Sequence, residues 1–257
     1  KRSAGKIINF MGKDYTVQEA THDSFAGIDI ALFAGGSISK EFAPSAVKAG
    51  AVVIDNSSAF RMDPEVPLIV PEVNPEAILK HKGIIANPNC STIIMLMALK
   101  PIYDLARIKR IIVSTYQAVS GAGKEGIDEL TNQVGEYLDG KEMTANILPS
   151  ASAEKHYPIA FNLIPQIDVF CDNLYTKEEM KMINETRKIL KRPDLPITAT
   201  TVRVPVFNSH SESINVEFEK DFELEEVIDI LRNSPGIIIQ NDCSTDEYPL
   251  ATNATRT

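Results

Sequence analysis

Two short apolar runs flank a helical stretch early in the chain, and that order restricts the fold more than any other feature. Residues 28–33 (IDIALF) predict a buried strand, residues 39–49 have helical spacing with Phe42, Ala46 and Val47 on one face, and residues 51–54 (AVVI) predict a second buried strand. Gly50 stands where a helix C-terminus belongs. Strands that are apolar throughout, rather than alternating, suit a parallel sheet covered on both faces. Such sheets bind ligands beyond the carboxyl ends of their strands. Polar turns follow both strands at those ends, Gly35-Gly36-Ser37 and Asn56-Ser57-Ser58. Taken alone, these turns fit ordinary connections equally well.

The rest of the chain divides into two textures. Residues 7–17 predict a hairpin around Gly12-Lys13, and residues 83–86 (GIIA) predict a further strand. Beyond Cys90 come a long apolar helix over 91–106, an Ile- and Val-rich strand over 108–116 and, after Gly121-Ala122-Gly123, an amphipathic helix to about 138. Residues 139–172 hold three prolines and little periodicity, which predicts a long loop or docking region. Thr176 is a good cap for a helix running to 190. Strands follow over 197–206, 213–219 and 237–240, with a helix over 222–231. The expected architecture is α/β: a parallel-sheet domain over residues 1–90, then an α+β domain over residues 91–257.

Charge and cysteines narrow the function classes. With 35 acidic against 26 basic residues the net charge is −9, so nucleic acid and anionic lipid are poor partners for the chain as a whole. Any anionic small molecule would need a local cluster of Arg and Lys. The longest apolar stretch, residues 93–99, falls far short of the roughly 20 residues that cross a bilayer. The opening residues KRSAGKIINF lack the apolar core of a secretory signal. Three cysteines, Cys90, Cys171 and Cys243, with no CxxC pair argue against a disulfide framework or a metal site. Reduced thiols and a cytoplasmic location are expected.

Cys90 is the sharpest single residue. It follows Pro88-Asn89 and opens a helix, where unpaired N–H groups and the positive end of the dipole stabilise a thiolate. A lowered thiol pKa is therefore expected, with nucleophilic reactivity toward a carbonyl carbon. The same N–H groups could hold the oxyanion that forms on attack. An isolated Cys at such a place is more often a small packing residue.

Its surroundings change that balance. NPNCST at 87–92, STYQAVSGAG at 114–123, DNSSAFRM at 55–62 and PLIVPEVN at 67–74 resemble aspartate-semialdehyde dehydrogenases. HYPIAFNLIPQID at 156–168, YTKEEMKM at 175–182 and HSES at 210–213 match as well. The resemblance covers essentially the whole chain and is strongest to the bacterial branch. It implies a partial Rossmann-like NADP-binding domain followed by a catalytic and dimerisation domain, in the manner of glyceraldehyde-phosphate dehydrogenase. The reaction it implies is reduction of aspartyl phosphate to aspartate semialdehyde and phosphate with NADPH, in lysine, threonine, methionine and diaminopimelate biosynthesis. The assembly it implies is a homodimer or a dimer of dimers.

Residue by residue, the resemblance makes Cys90 the nucleophile, with Asn89 expected to position or polarise the acyl oxygen. His210 matches the acid/base histidine and Gln117 the glutamine that orients substrate. Outside the resemblance, a lone His in FNSHSES is usually an exposed loop residue. Arg61 matches the phosphate-binding arginine and Arg203 the carboxylate-binding one, and a guanidinium fork suits both anions. Glu178 and Lys181 match positions that meet the substrate amine and phosphate, although an i,i+3 pair of this kind is commonly a surface ion pair. For NADP, Arg2 and Ser3 match the segment that meets the 2′-phosphate. Gly35, Gly36 and Ser37 match the turn along the cofactor, and Asn56 and Ser57 end the next strand.

Both ends depart from the family pattern. The chain lacks a G-x-x-G-x-x-G loop and the segment that returns to the first domain. The expectation is a fragment, with poor NADP binding and an exposed strand edge that invites aggregation. Rival expectations are a malonyl-CoA reductase on the same scaffold, other thioester-forming dehydrogenases, and a non-catalytic dimerising homologue.

Overall fold

A computed structural model describes residues 3–255, and Arg2 lies outside the described residues. The chain forms two compact units: one runs to Val70 and takes in Asn74–Pro88, and the other takes Pro71–Val73 and everything from Asn89.

In the first unit, β1 (Ile7–Phe10) and β2 (Lys13–Thr16) form the expected antiparallel hairpin, turning at Met11 and Gly12, both with positive φ. The strands β3 (Ile30–Phe33), β4 (Val52–Asp55) and β5 (Ile84–Ala86) form a parallel sheet in the order β3-β4-β5. A 3-10 turn over Gly36–Ile38 leads into helix α1 (Ser39–Lys48). Ala43, Ala46 and partly buried Val47 of α1 pack against Ala31 and Val53, with Phe25, Phe33 and Phe42 closing the cluster. Small alanines let the helix lie close to the sheet. The other face of β3 is open: Ile30 is 62% and Leu32 78% exposed.

In the second unit, α2 (Cys90–Ala106), β6 (Ile108–Gln117), α3 (Gly123–Leu138), α4 (Lys177–Ile189), β7 (Ile197–Arg203), β8 (Ser211–Phe218) and α5 (Leu224–Arg232) follow in order. The sheet order is β7-β6-β8, with β6 parallel to β7 and antiparallel to β8. Helices α2 and α4 lie on one face, where Met95, Leu99, Met182 and Ile183 meet Ile111, Val113, Ile197 and Ala199. A second cluster joins Val119 and Leu130 to Leu148, Ile159 and Ile164, so the irregular segment after α3 is docked rather than loose. Glu129 holds it there by accepting the N–H groups of Asn146, Ile147 and Leu148.

Two strand expectations are corrected. β7 ends at Arg203 instead of 206, because the chain turns back through Val206 N–H to Val204 C=O. Residues 237–240 form no strand: none of the described strands pairs with them, and Ile238 is exposed. An apolar run without an edge to pair with has no reason to extend. Among the described residues no helix is long and apolar enough to cross a membrane.

Candidate active site

The three strands of the second unit change character along one face. Period-2 alternation puts Ile111, Val113, Thr115 and Gln117 of β6 on the core side, beside Ile197, Ala199, Thr201 and Arg203 of β7. On β8 the register places Val216 opposite Ile111, Ile214 opposite Val113 and Glu212 opposite Thr115. Each strand thus runs from apolar to polar in the same spatial direction. The last inward positions are Gln117 and Arg203, which are register partners, with His210 just before β8.

Cys90 is the first residue of α2, and Asn89 is its cap. Asn89 Oδ1 accepts from Ser91 N–H at 3.1 Å and Thr92 N–H at 3.3 Å. Its Nδ2 donates to Glu178 Oε1 at 2.8 Å, and its backbone N–H donates to Glu185 Oε2 at 2.6 Å. Asn89 is thereby committed to holding the helix start, and the Ser91 and Thr92 N–H groups are already engaged.

The expected low thiol pKa is corrected by this geometry. Cys90 is open to solvent on one side and hemmed in by protein on the rest. Burial, and then the Glu178 carboxylate, push its thiol pKa up, outweighing the N–H groups of Ser91 and Cys90 itself. The helix start is present; its benefit is shared with a cap and opposed by a nearby anion.

Glu178 is the hub. It is buried on α4 and accepts from Asn89 Nδ2, from Gln117 Nε2 at 3.3 Å and from Lys181 Nζ at 3.1 Å. Burial raises its pKa, but the Lys181 charge and the hydrogen bonds from Asn89, Lys181 and Gln117 more than offset this and hold it below the usual carboxylate value. Lys181 also bonds Asp168 Oδ2 at 3.1 Å. Burial alone would lower the Lys181 pKa; its two carboxylate neighbours raise it instead. Gln117 Oε1 accepts from Thr115 Oγ1 at 3.0 Å, which fixes the amide orientation.

Arg203 is buried, and its Nη1 donates to the carbonyl of Ala118 at 2.7 Å. It interacts electrostatically with Cys90 and Glu178, and its charge also acts on His210. His210 Nδ1 accepts from Ala118 N–H at 3.0 Å. Burial first, then Arg203, push the imidazole pKa down to about 4, so the ring is neutral at pH 7.

The structure therefore brings together Asn89, Cys90, Gln117, Glu178, Lys181, Arg203 and His210. The remaining candidates lie in the first unit. Gly35, Gly36 and Ser37 follow β3, with Gly36 at a φ of 64° that favours glycine. Asn56 N–H donates to Phe33 C=O at 2.7 Å, which sets the β4 turn beside the β3 turn at the carboxyl ends of the strands. Ser57 bonds the buried Asp55 carboxylate through Oγ at 2.8 Å. Buried Arg61 reaches the carbonyl of Asn56 at 3.0 Å, and Ser3 is an exposed turn residue. These adjacent exposed turns suit a nucleotide laid across strand ends. Among the described residues no cluster is placed to hold a metal.

Sequence reading missed Glu185, Asp168, Thr115 and Ala118. Glu185 carried a signal: it stands seven residues after Glu178, on the face that also carries Met182 and Thr186, and it is 1% exposed. A carboxylate on a core-facing stripe needs partners. Ala118 acts through its peptide groups, which side-chain identity does not report.

Comparisons with known proteins identify the family. The model of the semialdehyde dehydrogenase NAD binding domain matches residues 1–81, and that of the semialdehyde dehydrogenase dimerisation domain matches residues 99–257. The aspartate-semialdehyde dehydrogenase of Aquifex aeolicus is 57% identical over 254 residues, covering 97% of this chain and 73% of that protein. The crystal structure of aspartate semialdehyde dehydrogenase II from Vibrio cholerae complexed with ASA has a TM-score of 0.90 at 47% identity, covering 99% of this chain and 74% of that one. The Candida albicans enzyme with NADP has a TM-score of 0.65 at 25% identity, covering 90% of this chain and 66% of that one. Matched along nearly its whole length, this chain belongs to the aspartate-semialdehyde dehydrogenase family.

Proposed function

We propose that this protein catalyses the reversible, NADPH-dependent reductive dephosphorylation of aspartyl phosphate to aspartate semialdehyde, with Cys90 as nucleophile. The observation that supports it is the cluster in which Asn89 and Gln117 share one oxygen of Glu178 beside the cysteine, with Arg203 in electrostatic reach. The family relation favours this reading over a malonyl-CoA reductase or a non-catalytic homologue.

In the biosynthetic direction Cys90 Sγ attacks the acyl carbon and phosphate leaves, giving a thioester. Arg203 holds the α-carboxylate of the substrate and Glu178 the α-amine, while Lys181 and Arg61 are the phosphate cations. Gln117, fixed by Thr115 and Glu178, orients the acyl group, and Asn89 keeps the cysteine in place. Gly35, Gly36, Ser37, Asn56 and Ser57 would hold NADP, joined by Arg2 and Ser3 at its 2′-phosphate. Bound there, the cofactor would supply the hydride that reduces the thioester. Aldehyde release then returns the sulfur of Cys90. The working form is a cytoplasmic homodimer built on residues 99–257, or a dimer of such dimers.

The test is turnover of aspartate semialdehyde and phosphate, followed by NADPH absorbance. Cys90→Ala should lose at least about 10⁴-fold in kcat, the scale of removing a covalent nucleophile. Unchanged turnover ends the assignment, and faster turnover of malonyl-CoA by the wild type replaces the substrate.

A further inference from the structure

Helix α4 opens with a capping box closed within its own sequence. Thr176 Oγ1 accepts from Glu179 N–H at 3.3 Å, and Glu179 Oε2 accepts from Thr176 N–H at 2.7 Å. Helix α2, which carries Cys90, lacks the second half of that arrangement. Asn89 Oδ1 takes the N–H groups of Ser91 and Thr92. The residue three places after the cap is Thr92, whose buried hydroxyl has no hydrogen-bond partner. The return bond comes from another helix instead. Glu185 Oε2, from 96 residues further along the chain, accepts the Asn89 N–H at 2.6 Å. Glu185 thus does for α2 what Glu179 does for α4.

Two carboxylates of α4 therefore hold one residue. Glu178 and Glu185 stand about two turns apart on the same face. Glu178 takes the Asn89 side chain through Nδ2 at 2.8 Å, and Glu185 takes its backbone. Glu178 Oε1 is also shared with Gln117, and its Oε2 with Lys181. Glu185 is 1% exposed.

We propose that Glu185 is a positioning residue. It fixes the backbone of Asn89, and through it the start of α2 and Cys90, while Glu178 turns part of its hydrogen bonding to the substrate amine. This rests on the acyl-phosphate reading above. A substrate ammonium at Glu178 competes with Asn89 Nδ2 and Gln117 Nε2 for the same carboxylate. Were the Asn89 side chain the only tie to α4, the cap would loosen at the moment the cysteine must be aimed. A tie to the peptide N–H does not depend on the substrate. Attack on an acyl carbon tolerates little misplacement, so a loose cap slows the chemical step more than it weakens binding.

Two variants separate reach from charge. Glu185→Gln keeps an oxygen that can accept the N–H, whereas Glu185→Asp keeps the charge and is one methylene shorter. In turnover of aspartate semialdehyde and phosphate, Glu185→Asp should lose about 10- to 100-fold in kcat per folded protein, with KM within about threefold. Glu185→Gln should stay within about threefold of wild type in both constants. A loss in Glu185→Gln as large as that in Glu185→Asp assigns the effect to charge and overturns the proposal. So does a Glu185→Asp loss confined to KM, or no loss.

Amide hydrogen exchange reads the clamp without substrate. In the wild type the Asn89 N–H should exchange within about tenfold of the Ile111 N–H, which bonds the carbonyl of Pro196 beside the central strand. Glu185→Asp should speed Asn89 at least about tenfold and leave Ile111 unchanged. A fast Asn89 amide in the wild type overturns the proposal, as does equal acceleration of both amides, the mark of general destabilisation. If Glu185→Asp does not fold, the wild-type exchange and the turnover of Glu185→Gln decide. A wild type that does not turn over aspartate semialdehyde counts against the proposed function, and exchange still decides the clamp.

Discussion

The two sheets handle polar chemistry in opposite ways. In the second unit the polar ends of β6 and β7 point inward, and Gln117, Glu178 and Arg203 are each held by named partners before any ligand arrives. In the first unit the ends of β3 and β4 open into exposed turns, where Gly35, Gly36 and Asn56 offer backbone shape more than side-chain networks. Preorganised dipoles serve a reacting centre, where charge develops. A cofactor laid across strand ends needs mainly close approach and a favourable peptide direction. The same contrast runs through the apolar groups: Met182 and Ile111 are fully buried, whereas Leu32 on β3 is 78% exposed.

The sharpest way to break this comparison is to remove buried volume beneath the site. Met182 lies on α4 between Glu178 and Glu185, within the cluster that joins the helix to β6 and β7. Met182→Ala should cost about 2–5 kcal/mol in chemical denaturation, the range for truncating a core side chain. Activity should fall with it, because the carboxylates on either side move with the helix. A loss under about 0.5 kcal/mol would mean that the site is not braced by this core.

Glu212 gives a smaller effect of opposite sign. Both its carboxyl oxygens are buried without a hydrogen-bond partner, opposite Thr115 on β6. Burial pushes its pKa up to about 8 from the usual 4.5. Between those values the unfolded chain is ionised while the folded protein keeps the proton, so stability falls as pH rises from 4.5 to about 8. Glu212→Gln removes that loss. Its partial exposure moderates the gain, which should be on the order of 1 kcal/mol by pH 8 and close to nothing below pH 5. Equal gains at both pH values would show that the carboxyl is not held neutral.

Periodicity and turn chemistry made the backbone order legible. The apolar strands around α1, the cap at Thr176 and the helix opening at Cys90 all appear where spacing predicts them. Side-chain electrostatics were legible only in part. The helix start beside Cys90 predicts a lowered thiol pKa, yet Glu178, 88 residues further on, reverses the sign. That reversal needs α4 packed against α2, which no local pattern states. The 237–240 run shows the converse: strand composition is local, but a strand needs an edge to pair with. Peptide groups such as those of Ala118 leave no trace in residue type at all.

The smallest expected effect sharpens the comparison from the first unit. Leu32 points from the uncovered face of β3, the edge strand of the β3-β4-β5 sheet. Leu32→Thr keeps a residue suited to strands and removes exposed apolar surface. An exposed side chain gives up little burial free energy, so stability should change by less than about 0.5 kcal/mol. Solubility should improve instead, because an apolar edge strand is a template for association. Light scattering of concentrated protein and thermal unfolding read the two effects separately. Destabilisation above about 1 kcal/mol would show that Leu32 is covered in solution, and the two sheets would then differ less than their exposed and buried faces imply.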